Sequence, residues 1–228
     1  MRFNSTGVVA GALYLALGFV WVLAASPTWL WQLPLAWFVA VALVGAFIPG
    51  VANQVSFARA YLAGPAFGYA LAGWFGPLAV TVAVAGLTDF VDGTVARRLA
   101  QPTSFGGGLD PVLDGLFMGA LCLGLAAGGA LPLWLALVVI ARYLLPALGG
   151  GLLIVLGRRP ELRHTLTGQV STVLILVLVG GICLLRGLHQ PSGALLTGAE
   201  VVIPVATVAT FAHLAWASRR AVMPAAAG

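Results

Sequence analysis

Long apolar runs, almost free of charge, follow one another along this chain of 228 residues. Hydrophobic residues make up 61% of the sequence and charged residues 7%, with a mean hydropathy of +1.06, as is typical of integral membrane proteins. A spanning helix needs about 20 apolar residues, and these runs do not alternate as barrel strands do. We therefore predict an all-α, polytopic membrane helix bundle of eight spans, at roughly 8–25, 31–49, 53–72, 75–97, 109–128, 132–157, 166–186 and 197–217.

Arginine carries all of the positive charge, since the chain has eleven arginines, no lysine and a net charge of +5. Membrane proteins collect such residues in cytoplasmic loops, so the charge indicates topology rather than a nucleic-acid-binding surface. If the loop after span four lies in the cytoplasm, eight arginines are inside and only Arg186 is outside. The same orientation brings four tryptophans to the outer interface, where aromatic residues are enriched: Trp29, Trp31, Trp74 and Trp134.

Composition divides the chain into a short first part and a longer second part. Residues 1–50 are expected to form a transmembrane hairpin of two spans, and the sequence PGVANQ separates them from the rest. Residues 53–217 form a six-span core with nearly all the polar residues, and residues 218–228 form a cytoplasmic tail. An alternative for the first span is a cleaved signal peptide ending at VLAAS. Any chemistry is expected in the six-span core.

One stretch concentrates the acidic residues. Of the six in the chain, four lie within residues 88–117: Asp89, Asp92, Asp110 and Asp114. With about 100° per residue, one face of span four carries the first two of them together with three neighbours: Gly93, Ala96 and Arg97. The next helix is expected to open with Asp110 and Pro111, and its two aspartates lie one turn apart. A short hairpin between these spans would bring all four carboxylates to the same depth.

Four facing carboxylates in a low-dielectric setting repel one another unless they are protonated or bind cations. Mg²⁺ commonly binds a few carboxylates together with substrate phosphates, and the stretch has no histidine or cysteine, which argues against zinc. The residues therefore predict a site for one or two divalent metals and a phosphorylated ligand. The structural alternative, acids that merely meet headgroups or arginines, fits one or two aspartates better than four at this spacing.

The fixed positions of the stretch read Asp89-x2-Asp92-Gly93-x2-Ala96-Arg97-x8-Gly106-x3-Asp110-x3-Asp114. In all eight positions this pattern resembles the signature of the CDP-alcohol phosphatidyltransferase family, integral membrane enzymes of phospholipid synthesis. The six-span core of that family is similar to residues 53–217, and NQVSFAR at 53–59 resembles its Asn-x-x-Thr/Ser-x-x-Arg motif. Residues 1–50 lie outside the resemblance.

The resemblance implies metal-dependent transfer of a phosphatidyl group from CDP-diacylglycerol, or a similar CDP-alcohol, to an alcohol acceptor with release of CMP. It implies two Mg²⁺ or Mn²⁺ ions held by the four aspartates: Asp89, Asp92, Asp110 and Asp114. It implies that Asp114 also takes the proton of the attacking hydroxyl. It further implies that Gly93 and Ala96 leave room for the cytidine, that Gly106 shapes the turn, and that Arg97 contacts the pyrophosphate.

The acceptor alcohol is less constrained. Arg142 lies at middle depth in span six, where an arginine is costly unless it is functional or paired. Three more arginines crowd the following cytoplasmic loop: Arg158, Arg159 and Arg163. These residues predict a phosphate-binding site and thus a phosphorylated polyol, such as glycerol 3-phosphate or inositol phosphate, although the loop arginines alternatively carry ordinary positive-inside charge. Gln169 and Tyr143 depart from the pattern of glycerophosphate-using members. Those members have lysine in place of Gln169 and often glutamate in place of Tyr143.

Other functions stay open at this level. The alternative acceptors are a neutral alcohol or phosphatidylglycerol, and the alternative functions are non-catalytic CDP-lipid binding and divalent-cation transport. A transporter predicts acids at mid-membrane on several separated helices, whereas these lie at the end of one hairpin. We expect a multi-pass protein of a bacterial cytoplasmic membrane, with its site facing the cytoplasm and in contact with membrane lipids. We also expect a homodimer, as family members commonly are, and no nucleic-acid partner.

Overall fold

The computed structural model of the protein describes residues 4–25, 32–99, 106–155 and 166–222. The long elements within these ranges are all α-helices. They are α1 (Ser5–Ala25), α2 (Gln32–Gly45), α3 (Val51–Ala72), α4 (Phe75–Leu99), α5 (Gly106–Ala127), α6 (Leu133–Val155), α7 (Leu166–Gly187) and α8 (Gly193–Val222). The predicted all-α bundle is confirmed.

Four of the described helices are long and apolar enough to cross a membrane. Their apolar segments are Ser5–Ala24, Asp110–Ala127, Val170–Gly187 and Gly193–Trp216. Shorter apolar segments lie in α2, α4 and α6, at Gln32–Gly45, Phe75–Thr88 and Leu133–Pro146. The protein is therefore a multi-pass helical membrane protein.

The helix bounds follow the apolar runs, with differences of about one turn at some ends, such as the end of α2 at Gly45 and the start of α8 at Gly193. α5 begins at Gly106, about one turn before the predicted start at Asp110, so Pro111 lies in its second turn. Proline removes one helical hydrogen bond there, and the packing of α5 along α3 outweighs the preference of proline for a first turn. α8 continues through Val222, past the predicted end of its span at residue 217.

Six helices form a closed ring. Contacts between neighbours run from α3 to α4, then to α7, α8, α6 and α5, and back to α3. The core inside this ring is made of aliphatic and aromatic side chains that are almost fully buried. The largest include Tyr69, Leu78, Leu121, Leu125, Leu135, Ile175, Ile182 and Ile203. The ring places α3 between the two helices, α4 and α5, that carry the acidic stretch.

Glycines allow α3 and α5 to approach closely. A Cβ added at Gly124 would lie 2.6 Å from the carbonyl oxygen of Phe67, and one at Gly128 would lie 2.5 Å from that of Ala70. Small residues permit such backbone approach in membrane bundles, where dispersion contacts between helices contribute much of the association energy. The crossing fixes the register between α3 and α5.

The N-terminal hairpin, α1 and α2, packs on α3 outside the ring. The chain passes from α2 into α3 through Gly50, whose positive φ of 91° suits glycine. At this junction the side chain of Asn53 donates a hydrogen bond to the carbonyl of Pro49 at 2.8 Å. α3 is thus the helix of the ring on which the hairpin packs.

Candidate active site

A buried arginine in the third turn of α3 bridges two of the predicted site aspartates. The side chain of Arg59 is 3% exposed, and its Nη1 lies 2.8 Å from Oδ1 of Asp114. Its Nη2 lies 3.3 Å from Oδ1 of Asp110. A guanidinium presents its N–H groups in a rigid planar fork, so one arginine can fix two carboxylates at once.

Asp110 and Asp114 both reach Arg59 because they lie one turn apart on the same face of α5. Their side chains are 49% and 29% exposed, respectively. Solvent weakens an ion pair, so the shorter and less exposed contact with Asp114 is the stronger of the two. Both carboxylates stay accessible to a ligand, although the arginine that orients them is buried.

The donor set suits a hard divalent cation. A carboxylate has about four lone-pair positions, so an ion pair through Oδ1 leaves capacity for a metal. Oxygen donors fit Mg²⁺ or Mn²⁺ better than zinc. Among the side chains that the structure describes, no three histidine, cysteine or acidic residues gather into a metal site. Asp89 and Asp92 lie outside that set, so the predicted set of four carboxylates stays a prediction.

The other predicted site residues fall into two groups. Asp89, Asp92, Gly93, Ala96 and Arg97 lie in the last turns of α4, and Gly106 is the first residue of α5. Gln169 lies in the first turns of α7. For these residues the structure describes the helix and not the side chain. Arg158, Arg159 and Arg163 lie outside the described residues.

A second buried arginine, Arg142, joins α6 to the start of α7. Its Nη2 donates hydrogen bonds to the carbonyl of Gly168 at 2.9 Å, to Oγ1 of Thr172 at 3.0 Å and to Oγ of Ser171. The residue is 6% exposed, and its Nε is buried without a hydrogen-bond partner in the described part of the chain. These acceptors are neutral, and the ion pairs between side chains that the structure describes do not include Arg142.

Tyr143 lies between the helix segment of Asp114, which pairs with Arg59, and the side chain of Arg142. A Cβ added at Gly115, the residue after Asp114, would lie 3.0 Å from Cβ of Tyr143. On the other side, Cζ of Arg142 lies 5.1 Å from the centroid of the Tyr143 ring. Tyr143 therefore fills space between α5 and α6, next to the segment of Asp114 and next to Arg142.

Arg59 was not among the predicted site residues. It lies in the NQVSFAR motif and inside a predicted span. The signal that could have found it is the cost of an arginine within a membrane span, which demands a nearby acid or another polar group. Which acid this is depends on the packing of α3 against α5.

These features define a class: a polytopic helical membrane protein with paired, arginine-oriented carboxylates at one end of a six-helix ring. The sequence profile of the CDP-alcohol phosphatidyltransferase family matches residues 50–217, and the chain belongs to this family of transferases. The predicted resemblance is thereby confirmed, and all the predicted site residues lie within the matched region. Residues 1–49 lie outside it.

Several curated proteins are similar to parts of the chain. Over 106 residues it is 38% identical to a probable cardiolipin synthase (CMP-forming) of Drosophila melanogaster, covering 46% of this chain and 32% of that protein. Over 106 residues it is 31% identical to the CDP-diacylglycerol–glycerol-3-phosphate 3-phosphatidyltransferase of Bacillus subtilis, covering 46% of this chain and 54% of that protein. Over 51 residues it is 49% identical to the archaetidylinositol phosphate synthase of Methanothermobacter thermautotrophicus, covering 22% of this chain and 26% of that protein. The matches thus span about a quarter to a half of these relatives. No solved structure matches the chain significantly.

Proposed function

We propose that the protein transfers a phosphatidyl group from CDP-diacylglycerol, or a similar CDP-alcohol, to an alcohol acceptor and releases CMP. The observation that carries this proposal is the pair Asp110 and Asp114, oriented by buried Arg59 and still accessible, within the region matched by the family. The names of the similar proteins support phosphatidyl transfer from a CDP-linked lipid as the reaction class.

In the proposed mechanism, four aspartates would hold two Mg²⁺ or Mn²⁺ ions, and Arg97 would contact the pyrophosphate of the donor. These aspartates are Asp89, Asp92, Asp110 and Asp114. The bound ions would neutralise charge on the pyrophosphate. Gly93 and Ala96 carry little side-chain bulk where the cytidine lies, and Gly106 shapes the turn between α4 and α5. Asp114 accepts the proton of the acceptor hydroxyl as its oxygen attacks the lipid-linked phosphorus. The bond to CMP breaks, and a phosphodiester lipid remains.

Arg59 has a supporting part in this proposal. It holds Oδ1 of Asp114 at 2.8 Å, which fixes the rotamer of the proposed base while the second carboxylate oxygen accepts the proton. Oriented carboxylates of this kind lose activity when the group that orients them is removed, commonly by about 10- to 100-fold.

We further propose that the acceptor carries a phosphate, as in glycerol 3-phosphate or inositol phosphate. The supporting observation is Arg142, which is buried and bonded through Nη2 to neutral acceptors. A buried charge that lacks a direct ion pair is costly in a membrane interior, and a bound phosphate would supply an anion in direct contact with Arg142. Gln169, in the first turns of α7 close to this cluster in sequence, and the loop arginines Arg158, Arg159 and Arg163 would complete the acceptor site.

We propose that the enzyme acts at the cytoplasmic face of a bacterial cell membrane, as a homodimer among its lipid substrates. The distribution of arginines supports the orientation, because the predicted topology assigns eight of them to the same side as the acidic stretch.

The test is CMP release by the purified protein in nanodiscs. The reaction contains CDP-diacylglycerol, Mg²⁺ or Mn²⁺, and one acceptor at a time: glycerol 3-phosphate, inositol phosphate, inositol, serine or phosphatidylglycerol. We expect metal-dependent release with a phosphorylated acceptor, and a loss of about 10²- to 10⁴-fold in Asp114→Asn, as for removal of a general base. Glu200→Gln in α8 is the matched control. It should keep full activity, since Glu200 belongs neither to the acidic stretch nor to the predicted acceptor site around Arg142.

The other outcomes separate the alternatives. Release only with phosphatidylglycerol or a neutral alcohol would contradict the phosphorylated acceptor and keep the transferase. Binding of CDP-diacylglycerol without CMP release for any acceptor would favour a non-catalytic role. Uptake of Mn²⁺ into proteoliposomes, without CMP release, would favour a transporter.

A further inference from the structure

The N-terminal hairpin lies outside the region matched by the family, yet hydrogen bonds join it to α3. The indole Nε1 of Trp37 in α2 donates a hydrogen bond to the carbonyl of Ala60 at 2.6 Å. The hydroxyl of Tyr14 in α1 donates one to the carbonyl of Gln54 at 3.1 Å. Each bond fixes a point on α3, and together they span nearly two turns of that helix, from one side of Arg59 to the other.

Bonds from α3 back to the hairpin complete the junction. The amide Nε2 of Gln54, which is buried, donates hydrogen bonds to the carbonyl of Gly45 at 2.9 Å and to that of Ile48 at 2.7 Å. The carbonyl of Gly45 also accepts a hydrogen bond from the backbone N–H of Ile48, so Gln54 ties the last residue of α2 and the connection that follows it to α3.

Steric fit at the junction is equally specific. Gly64 of α3 leaves the space that the indole of Trp37 occupies, since a Cβ there would lie 2.5 Å from the indole ring. One turn earlier, the ring of Tyr61 lies 4.6 Å from that of Tyr14 and 6.0 Å from that of Phe38, between ring centroids. The hairpin therefore contacts α3 through interlocking side chains rather than through a smooth apolar face.

Arg59 lies on the opposite face of α3 from this junction. With about 100° per residue, the direction of Arg59 is roughly 150° from the mean direction of Gln54, Ala60 and Gly64. Side chains reach about 5–6 Å from a helix axis, so a rotation of α3 by about 10° would shift the guanidinium by about 1 Å. A shift of that size is enough to break the 2.8 Å contact with Asp114.

The junction also extends to the helix that carries the two aspartates. Leu113, between Asp110 and Asp114 on α5, is 2% exposed. It belongs to the same buried cluster as Phe38 of α2 and Phe57 of α3. One continuous apolar cluster thus joins the hairpin, the helix of the arginine and the helix of the carboxylates.

We propose that the N-terminal hairpin is a brace of the active site, and that Trp37 is a positioning residue within it. By fixing the rotation of α3, Trp37 holds Arg59 between Asp110 and Asp114. The proposal rests on the proposed function only for the metal-binding and proton-accepting roles of those two aspartates. It gives a functional role to residues 1–49, which the family match does not cover.

The test compares Trp37→Phe, which keeps a ring and loses the N–H donor, with Tyr14→Phe, which loses one hydroxyl. Trp134→Phe is the matched control, because Trp134 on α6 is 48% exposed. The first readout is the Mn²⁺ dissociation constant of the full-length protein in nanodiscs, from the electron paramagnetic resonance signal of free Mn²⁺. None of these substitutions alters the charge of the protein, so a change in Mn²⁺ affinity reports the geometry of the carboxylates.

We expect Trp37→Phe to raise the Mn²⁺ dissociation constant about fivefold, the factor that corresponds to the loss of one hydrogen bond. Tyr14→Phe should act in the same direction, and Trp134→Phe should leave the constant unchanged. Removing a group that orients metal ligands generally lowers metal affinity in this way. If both hairpin variants bind Mn²⁺ as the wild type does, whatever their thermal stability, the hairpin only stabilises the fold and the proposal is wrong.

A second readout does not depend on the metal. The coupling between Arg59→Gln and Asp114→Asn, from a double-mutant cycle on thermal unfolding in EDTA, should fall markedly in the Trp37→Phe background. An unchanged coupling would overturn the brace. If the wild type binds no Mn²⁺ or releases no CMP, the proposed function fails, and the brace is judged on this coupling alone. If Trp37→Phe does not fold, Tyr14→Phe decides in both assays.

Discussion

The ion pair between Arg59 and Asp114 should be measurable as a coupling energy in the metal-free protein. Nη1 and Oδ1 are 2.8 Å apart, the arginine is 3% exposed and the aspartate 29% exposed. A charge-assisted hydrogen bond contributes about 1.5–3 kcal/mol, and partial exposure of Asp114 places this one near the middle, at about 2 kcal/mol. The contact with Asp110 is 3.3 Å long and its carboxylate is 49% exposed, so its coupling should stay below about 1 kcal/mol.

The assay is a pair of double-mutant cycles on thermal unfolding in detergent with EDTA, followed by tryptophan fluorescence. One cycle combines Arg59→Gln with Asp114→Asn, and the other combines it with Asp110→Asn. For a chain of this size, about 1 kcal/mol corresponds to roughly 2–4 °C, so Arg59→Gln alone should lower the midpoint by about 4–12 °C. A coupling with Asp114 below about 0.5 kcal/mol would refute the ion pair as described. So would a coupling with Asp110 that exceeds the coupling with Asp114.

Two glycines near the contact between α3 and α5, and the buried Arg142, give three further predictions. Gly124→Ala should destabilise the protein by about 1–3 kcal/mol in thermal unfolding, because its Cβ would meet the carbonyl of Phe67. Gly129→Ala has open space but a φ of +72°, so its cost should stay near 1 kcal/mol in the same assay. Arg142→Gln should raise the KM for a phosphorylated acceptor by about 10- to 100-fold, with the KM for CDP-diacylglycerol unchanged in CMP-release kinetics; equal rises in both constants would argue against acceptor binding.

Much of the fold was predictable from the sequence because the bilayer leaves a chain few options. Apolar runs of spanning length become helices, since every backbone polar group must be satisfied within the segment. The eight predicted segments therefore coincide with the eight helices of the described residues, within a few residues at most ends. The start of α5 was misplaced because proline favours a first turn only weakly compared with the packing of the helix.

The spacing of the acidic residues likewise determined part of the site. Asp110 and Asp114 share a face of α5 because they are four residues apart, whatever surrounds them. The family signature likewise depends only on residue types at fixed spacings, and the profile match over residues 50–217 agrees with it.

Contacts between distant segments were decided only by the tertiary structure. Arg59 is 51 residues from Asp110, and Arg142 is 29 residues from Ser171. The sequence shows that a buried arginine needs partners and does not show which, because the choice depends on how the helices are ordered around the ring and rotated about their axes. Both are set by the summed packing of many side chains, such as Gly124 against α3 and Trp37 against Gly64. Local spacing therefore determined which residues share a helix face, and tertiary packing decided which faces meet.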